Sequence, residues 1–148
     1  MRALINRHSP LTHSNIRLSR FGIIAAILAT IALPAYRDHT LRARVTEALS
    51  QLSATNLRLE QFYQDSRNFG SKTVCGVPMP TNGNFSFECS LGANGQSYVL
   101  TASGVATSST QAFSFTIDQS GNMRTLALPA DWGTTPVNCW IARKGMAC

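Results

Sequence analysis

The sequence predicts an α+β fold, with one long N-terminal helix packed on a three- to four-stranded antiparallel sheet and a C-terminal region that cysteines can close. Three observations point there. An uncharged run from Phe21 to Tyr36 leads into a one-sided apolar stripe. Runs rich in β-branched and aromatic residues, alternating with period two, fill the second half of the chain. The four cysteines, Cys75, Cys89, Cys139 and Cys148, all follow the apolar run.

The helix comes first. "FGIIAAILATIALPAY" spans 16 residues without a charge, between Arg20 and Arg37. It is apolar on every face, which a small domain has little core to surround. It reads as a membrane anchor, slightly short of the usual span. A cleaved secretory signal is the rival, but no A-x-A triplet follows the run, and Pro34 and Tyr36 crowd any cut. Beyond Pro34 the pattern turns amphipathic. Leu41, Val45, Ala48, Leu52, Leu59, Phe62 and Tyr63 recur at three- and four-residue steps, apart from a polar gap at Thr55 and Asn56. Arg42, Glu47, Arg58 and Glu60 are assigned to the wetter side. Residues 21–65 therefore read as one helix on the order of 65 Å long. Pro34 is its seam, because a proline ring inside a helix costs about 3 kcal/mol and loosens the turn before it.

Residues 66–83 read as a loop, rich in glycine and proline. Strands are predicted in "NFSFECSL", "QSYVLTASG", "QAFSFTIDQ" and "NMRTLAL", over a sheet region of 84–128. Asn94-Gly95 and "DQSGN" supply hairpin turns. Such a sheet has one apolar face to cover, and the helix stripe is the available cover. "SGVATSSTQ" reads as a solvated loop, and residues 129–148 as an irregular tail.

Composition sorts the function classes. A chain of 148 residues holds one domain beside any anchor. Its net charge of +6 invites a nucleic-acid partner, yet residues 1–20 carry four arginines and no acid. Residues 71–148 carry four basic side chains against three acids. A basic leader before an apolar run is first a topology signal. Lys72, Arg124, Arg143 and Lys144 are the candidate DNA contacts on the remainder, and that reading ranks second. The cysteines form no C-x-x-C pair, and only three histidines are present, so no metal or other cofactor is expected. Disulfides fit an exported segment. Three pairings are open, of which Cys75–Cys89 with Cys139–Cys148 closes two short loops.

No nucleophile elbow, phosphate-binding loop, dinucleotide fingerprint or zinc-protease motif occurs, so an enzyme is not expected. Gly92 to Gly95 reads as a turn, and Asn84-Phe85-Ser86 as a chance glycosylation triplet inside a strand. Trp132 and Trp140, near the tail cysteines, read as packing residues.

"ILATIALPAYRDHTLRARVTEAL" closely resembles the N-terminal helix of type IV pilins, above all "IALPAY" followed by "RARVTEAL". "LEQFYQDSRNF", "FTIDQSGN" and "CWIARKGMAC" also look like the PilE-type pilins of Gram-negative bacteria, and the similarity spans residues 27–148. The resemblance implies the pilin fold: a long helix on an antiparallel sheet with a disulfide-closed C-terminal region. It implies a structural, minor subunit of a type IV pilus used in adhesion, twitching motility or DNA uptake. The partners it implies are other pilin subunits, the pilus assembly machinery and the inner membrane. The chain would be a single-pass inner-membrane protein before assembly and part of a cell-surface fimbrium after it. Residues 21–36, with Phe21, Ile24, Ile27, Leu28, Ile31 and Leu33, would form the membrane and filament core. Residues 37–148 would form the head.

The start departs from the family pattern. Counting back from Pro34 places Thr12 at the cleavage glycine, His13 at the N-methylated residue and Arg17 at the leader glutamate. Gly22 is followed five residues on by Ile27, not by an acid. Residues 1–20 are therefore expected to be unrelated to a working prepilin leader. Either a start or frame change lies upstream of about residue 21, or the subunit is divergent and unprocessed. Two related readings stand beside the pilus subunit: a DNA-binding competence pilin and a type II secretion pseudopilin. One of another class is a soluble periplasmic binding module released by signal cleavage.

Overall fold

The computed structural model describes residues 14–148, with side chains from residue 35 onward. The chain divides into two units, Met1–Asp38 and His39–Cys148. Helix α1 runs Ser14–Ser66 and so begins upstream of the expected residue 21. Phe21, Ile24, Ile27, Leu28, Ile31, Leu33 and Pro34 fall in this helix, and their side chains lie outside the described residues. Of the leader positions, Arg17 falls in the helix with its side chain outside the described residues, and Thr12 and His13 lie outside the described residues altogether. Among the described residues no helix is long and apolar enough to cross a membrane.

Within His39–Cys148 the sheet order is β3-β4-β5-β6, antiparallel throughout, from β3 (Phe85–Leu91), β4 (Tyr98–Gly104), β5 (Ser114–Asp118) and β6 (Met123–Ala127). All four strands lie inside the segments chosen for their alternation. In β3, Phe85 is buried and Phe87, Cys89 and Leu91 half-buried, while Ser86, Glu88 and Ser90 are exposed. That is the alternation of a sheet with one covered face. The cover is α1: Val45, Ala48, Leu49, Leu52 and Leu59 share one core with Phe85, Leu100, Ala102, Phe113, Phe115 and Ile117.

Four expectations need correction. Residues 66–83 are not all loop: β1 (Gly70–Ser71) and β2 (Val74–Cys75) form a second, two-stranded antiparallel sheet. Strands of two residues leave no period to detect. Thr55 is no gap in the helix stripe. It is 2% exposed, because its hydroxyl donates to the Gln51 carbonyl at 2.8 Å and so enters the core already satisfied. Glu60 is half-buried rather than on the wet side, held by the Tyr98 hydroxyl. Nor is "SGVATSSTQ" wholly solvated: Thr110 is fully buried and its hydroxyl donates to the Asn84 carbonyl. Asn84 also accepts from the Ser108 hydroxyl through its side chain, so the triplet that begins there has a structural job.

The cysteines pair as Cys75–Cys89 and Cys139–Cys148, and none is free. The first bond ties β2 to strand β3 at the margin of the large sheet. The second closes the tail into a ring.

Candidate functional site

The surface with most chemistry on it is one end of the large sheet. In the β4–β5 register Val99 faces Asp118, so the start of β4 lies beside the end of β5. The β3–β4 turn and the β5–β6 turn therefore emerge together. The β1–β2 hairpin joins them, since the Phe69 amide donates to the Gly95 carbonyl at 2.8 Å. The helix also ends here. Arg67 takes a left-handed φ of 57° and its amide caps the Tyr63 carbonyl at 2.8 Å. Gln96 stitches the end together: it accepts from the Tyr63 hydroxyl and donates to the Arg67 carbonyl. An aromatic row of Tyr63, Phe69 and Tyr98, with centroids 4.6 Å apart at each step, packs beneath.

The β5–β6 turn is built by Asp118. Its Oδ1 accepts from the amides of Ser120 and Asn122 at 2.9 and 3.0 Å, and its Oδ2 accepts from Asn122 Nδ2 at 2.9 Å. Gly121 completes the turn at φ 74°, a conformation that favours glycine. Partial desolvation pushes the Asp118 carboxyl up, but the hydrogen bonds from Asn122 and Ser120 together outweigh it and hold the group below its ordinary value. Beside this turn a hollow of about 390 Å³ is lined by Asp118, Asn122, Met123, Arg124 and Asn138.

The tail is fastened to β6 by one threonine. Thr125 is fully buried, donates to the Cys139 carbonyl at 2.6 Å and accepts from the Ile141 amide at 3.0 Å. Trp140 Nε1 donates to the Thr116 carbonyl at 2.9 Å. Trp132 is buried and meets Phe113 edge-on at 4.8 Å. Both tryptophans thus pack against the sheet.

The four basic candidates are distributed over this frame. Lys72 sits in the β1–β2 turn with φ 59°, on the β3 side of the sheet. Arg124 is exposed on β6 opposite Thr116, at the other margin. Three strand spacings of ~4.8 Å separate those margins. Arg143 and Lys144 lie in the ring closed by Cys139–Cys148. Lys144 Nζ is 2.7 Å from Asp131, and that contact draws the Asp131 carboxyl below its ordinary value. Asn122 and Asn138 escaped the sequence reading. Asn122 carried a signal, as the last residue of "DQSGN", whereas Asn138 reaches the hollow only through the tertiary path of the tail. Among the described residues no group of His, Cys, Asp and Glu side chains could hold a metal ion.

Comparison with known proteins places this geometry. The family model described as "Type IV minor pilin ComP, DNA uptake sequence receptor" matches residues 34–118. The chain is 30% identical over 80 residues to the fimbrial protein EcpC of Eikenella corrodens, covering 53% of this chain and 52% of that one. It is 34% identical over 59 residues to the type IV major pilin PilE1 of Neisseria gonorrhoeae, covering 40% of this chain and 28% of that one. The match thus spans about half of EcpC and less of PilE1. In fold it is similar to a type IV pilin of Shewanella oneidensis, with a TM-score of 0.50 at 19% identity, over 68% of this chain and 97% of that one.

Proposed function

Since this chain belongs to the type IV minor pilin ComP, DNA uptake sequence receptor family, we propose that it is a minor structural subunit of a type IV pilus and acts by assembly rather than catalysis. The family match over residues 34–118 carries the reading, because it runs from the helix seam through β5. The apolar face of α1 from Val45 to Leu59 is already covered by the chain's own sheet. That leaves the run from Phe21 to Tyr36 to serve other subunits. Phe21, Ile24, Ile27, Leu28, Ile31 and Leu33 are assigned to the filament core, and to the inner membrane before assembly. Burial of such a run is favourable by about 25 cal/mol per Å². Pro34 is assigned as the seam between that segment and residues 37–148, the surface-facing head. Other pilins and the pilus assembly machinery are the partners, and the cell-surface pilus is the location. The test is fractionation: an epitope-tagged chain should appear in filaments sheared from cells with an intact pilus system. Recovery only from membranes, with none in the filaments, overturns the reading.

A second reading has its own observation. The matching family is described as a DNA uptake sequence receptor. Lys72, Arg124, Arg143 and Lys144 would then supply phosphate and base contacts from the head. Duplex binding by the full chain in detergent, titrated against salt, tests it. A receptor shows affinity that falls with salt, and no binding at low salt removes the reading.

A further inference from the structure

The hollow beside the β5–β6 turn has a mixed chemistry that plain phosphate binding does not explain. Arg124 offers a planar guanidinium fork, and Asn122 and Asn138 offer carboxamides with donor and acceptor side by side. Asp118 places a carboxylate in the same hollow. A fixed anion there repels a phosphate. It does not repel the edge of a base pair, which presents donors and acceptors together.

The arrangement is also pre-set. Asp118 holds Asn122 Nδ2 at 2.9 Å, which orients the amide and leaves its oxygen and one N–H for a partner. Within the described residues, the exposed side chains of Arg124 and Asn138 take part in no hydrogen bond or ion pair. Asn122 closes the β5–β6 turn and Arg124 is the second residue of β6, and both line the hollow. They sit at the turn end of β5–β6, at the edge of the four-stranded sheet, where exposed side chains are open to a duplex. Guanidinium on guanine and carboxamide on adenine are the side-chain pairings that read sequence in the major groove of B-DNA. Lys72, at the far margin of the sheet, is separate from the hollow, as a positioning contact to the phosphate backbone should be.

We propose that this hollow reads base edges in duplex DNA. Arg124 takes a guanine, Asn122 and Asn138 take an adenine, and the hollow supplies the sequence discrimination of the receptor. The inference rests on the DNA reading given above.

The experiment uses the full chain in detergent and a pool of random-sequence duplexes, from which the preferred sequence is selected. Binding of that duplex and of its single-base substitutions is then followed by fluorescence anisotropy. Arg124→Lys keeps the charge and loses the fork. It should cut discrimination at one guanine by roughly tenfold or more, a larger factor than any change in its affinity for random duplex. Asn138→Ala should do the same at one adenine. Lys72→Ala should weaken all duplexes alike and lower the salt slope by about one. Discrimination unchanged in both Arg124→Lys and Asn138→Ala overturns the inference and leaves the receptor reading standing. So does a wild-type chain that binds duplex with no sequence preference. A wild-type chain that binds no duplex removes both.

Discussion

The Tyr98 hydroxyl lies 3.0 Å from Glu60 Oε1, joining the first residue of β4 to helix α1 across 38 residues of chain. The same oxygen is 2.6 Å from Asn56 Oδ1. One phenolic proton cannot serve two acceptors fully. Turning the Asn56 amide end for end makes it a donor and satisfies all three groups. Tyr98 is 1% exposed, so its hydroxyl is a polar group delivered into the core at one fixed point of the helix. It sets where along α1 the sheet docks, which uniform apolar contacts do weakly.

Tyr98→Phe should therefore cost about 1–2 kcal/mol in urea unfolding. The variant also has a pH signature. Burial raises the Tyr98 phenol well above its ordinary value, aided by the hydrogen bond and charge of Glu60 and by the charge of Asp118. A group raised on folding contributes stability that is complete below the ordinary phenol value, near pH 10, and is lost as pH rises above it. Wild type should lose stability faster than Tyr98→Phe between about pH 10 and 12. Parallel curves would mean that the phenol is not held as described.

Thr125→Val tests the fastening of the tail. The swap keeps shape but strands the Ile141 amide and the Cys139 carbonyl, at a cost of about 1–3 kcal/mol. Hydrogen exchange at Ile141 should speed up, while exchange at Leu100 in the sheet follows only the global change. Thr125→Ser, which keeps the hydroxyl, should recover most of the loss.

Gly104→Ala tests the close approach of the β4–β5 connection. A Cβ at Gly104 would lie 1.7 Å from the Thr110 carbonyl oxygen, which is main chain and cannot swing aside. Thr110 is itself pinned by its bond to the Asn84 carbonyl. Overpacking of this kind costs about 3 kcal/mol, seen as a fall of roughly 10 °C or more in Tm. A near-neutral result would mean that the connection is soft.

Cys139→Ser with Cys148→Ser opens the tail ring, whose cysteines are nine residues apart. Loop-closure entropy for a ring of this size gives about 2–3 kcal/mol. Trypsin should then cut after Arg143 and Lys144 sooner than in wild type, while the Trp140 bond to Thr116 keeps Trp140 fluorescence near native.

Much of this was legible in sequence, for identifiable reasons. Phe85, Leu100 and Phe115 stand in strands with a clean period of two, and Val45, Ala48, Leu52 and Leu59 keep helical spacing. A local pattern suffices for both. Thr55, Thr110 and Thr125 carry no such pattern, because residue type cannot say whether a hydroxyl will find a partner inside. Their partners are the carbonyls of Gln51, Asn84 and Cys139, and the last two are distant in sequence or fixed only by tertiary docking. The hollow was half legible. "DQSGN" marks the turn and Arg124 stands out by its charge, but Asn138 enters only once Val137 bridges to Thr125.

The way the tail is held bears on what evolution can do with it. Its attachments use the Cys139 carbonyl, the Trp140 indole, the Ile141 amide and the terminal cysteine. Arg143 to Met146 are exposed, and the ion pair of Lys144 with Asp131 lies at the surface, where such pairs contribute little. That stretch is a replaceable cassette. Its residues can be exchanged or tagged at little cost to the sheet, so the frame and the surface that this stretch presents are separable.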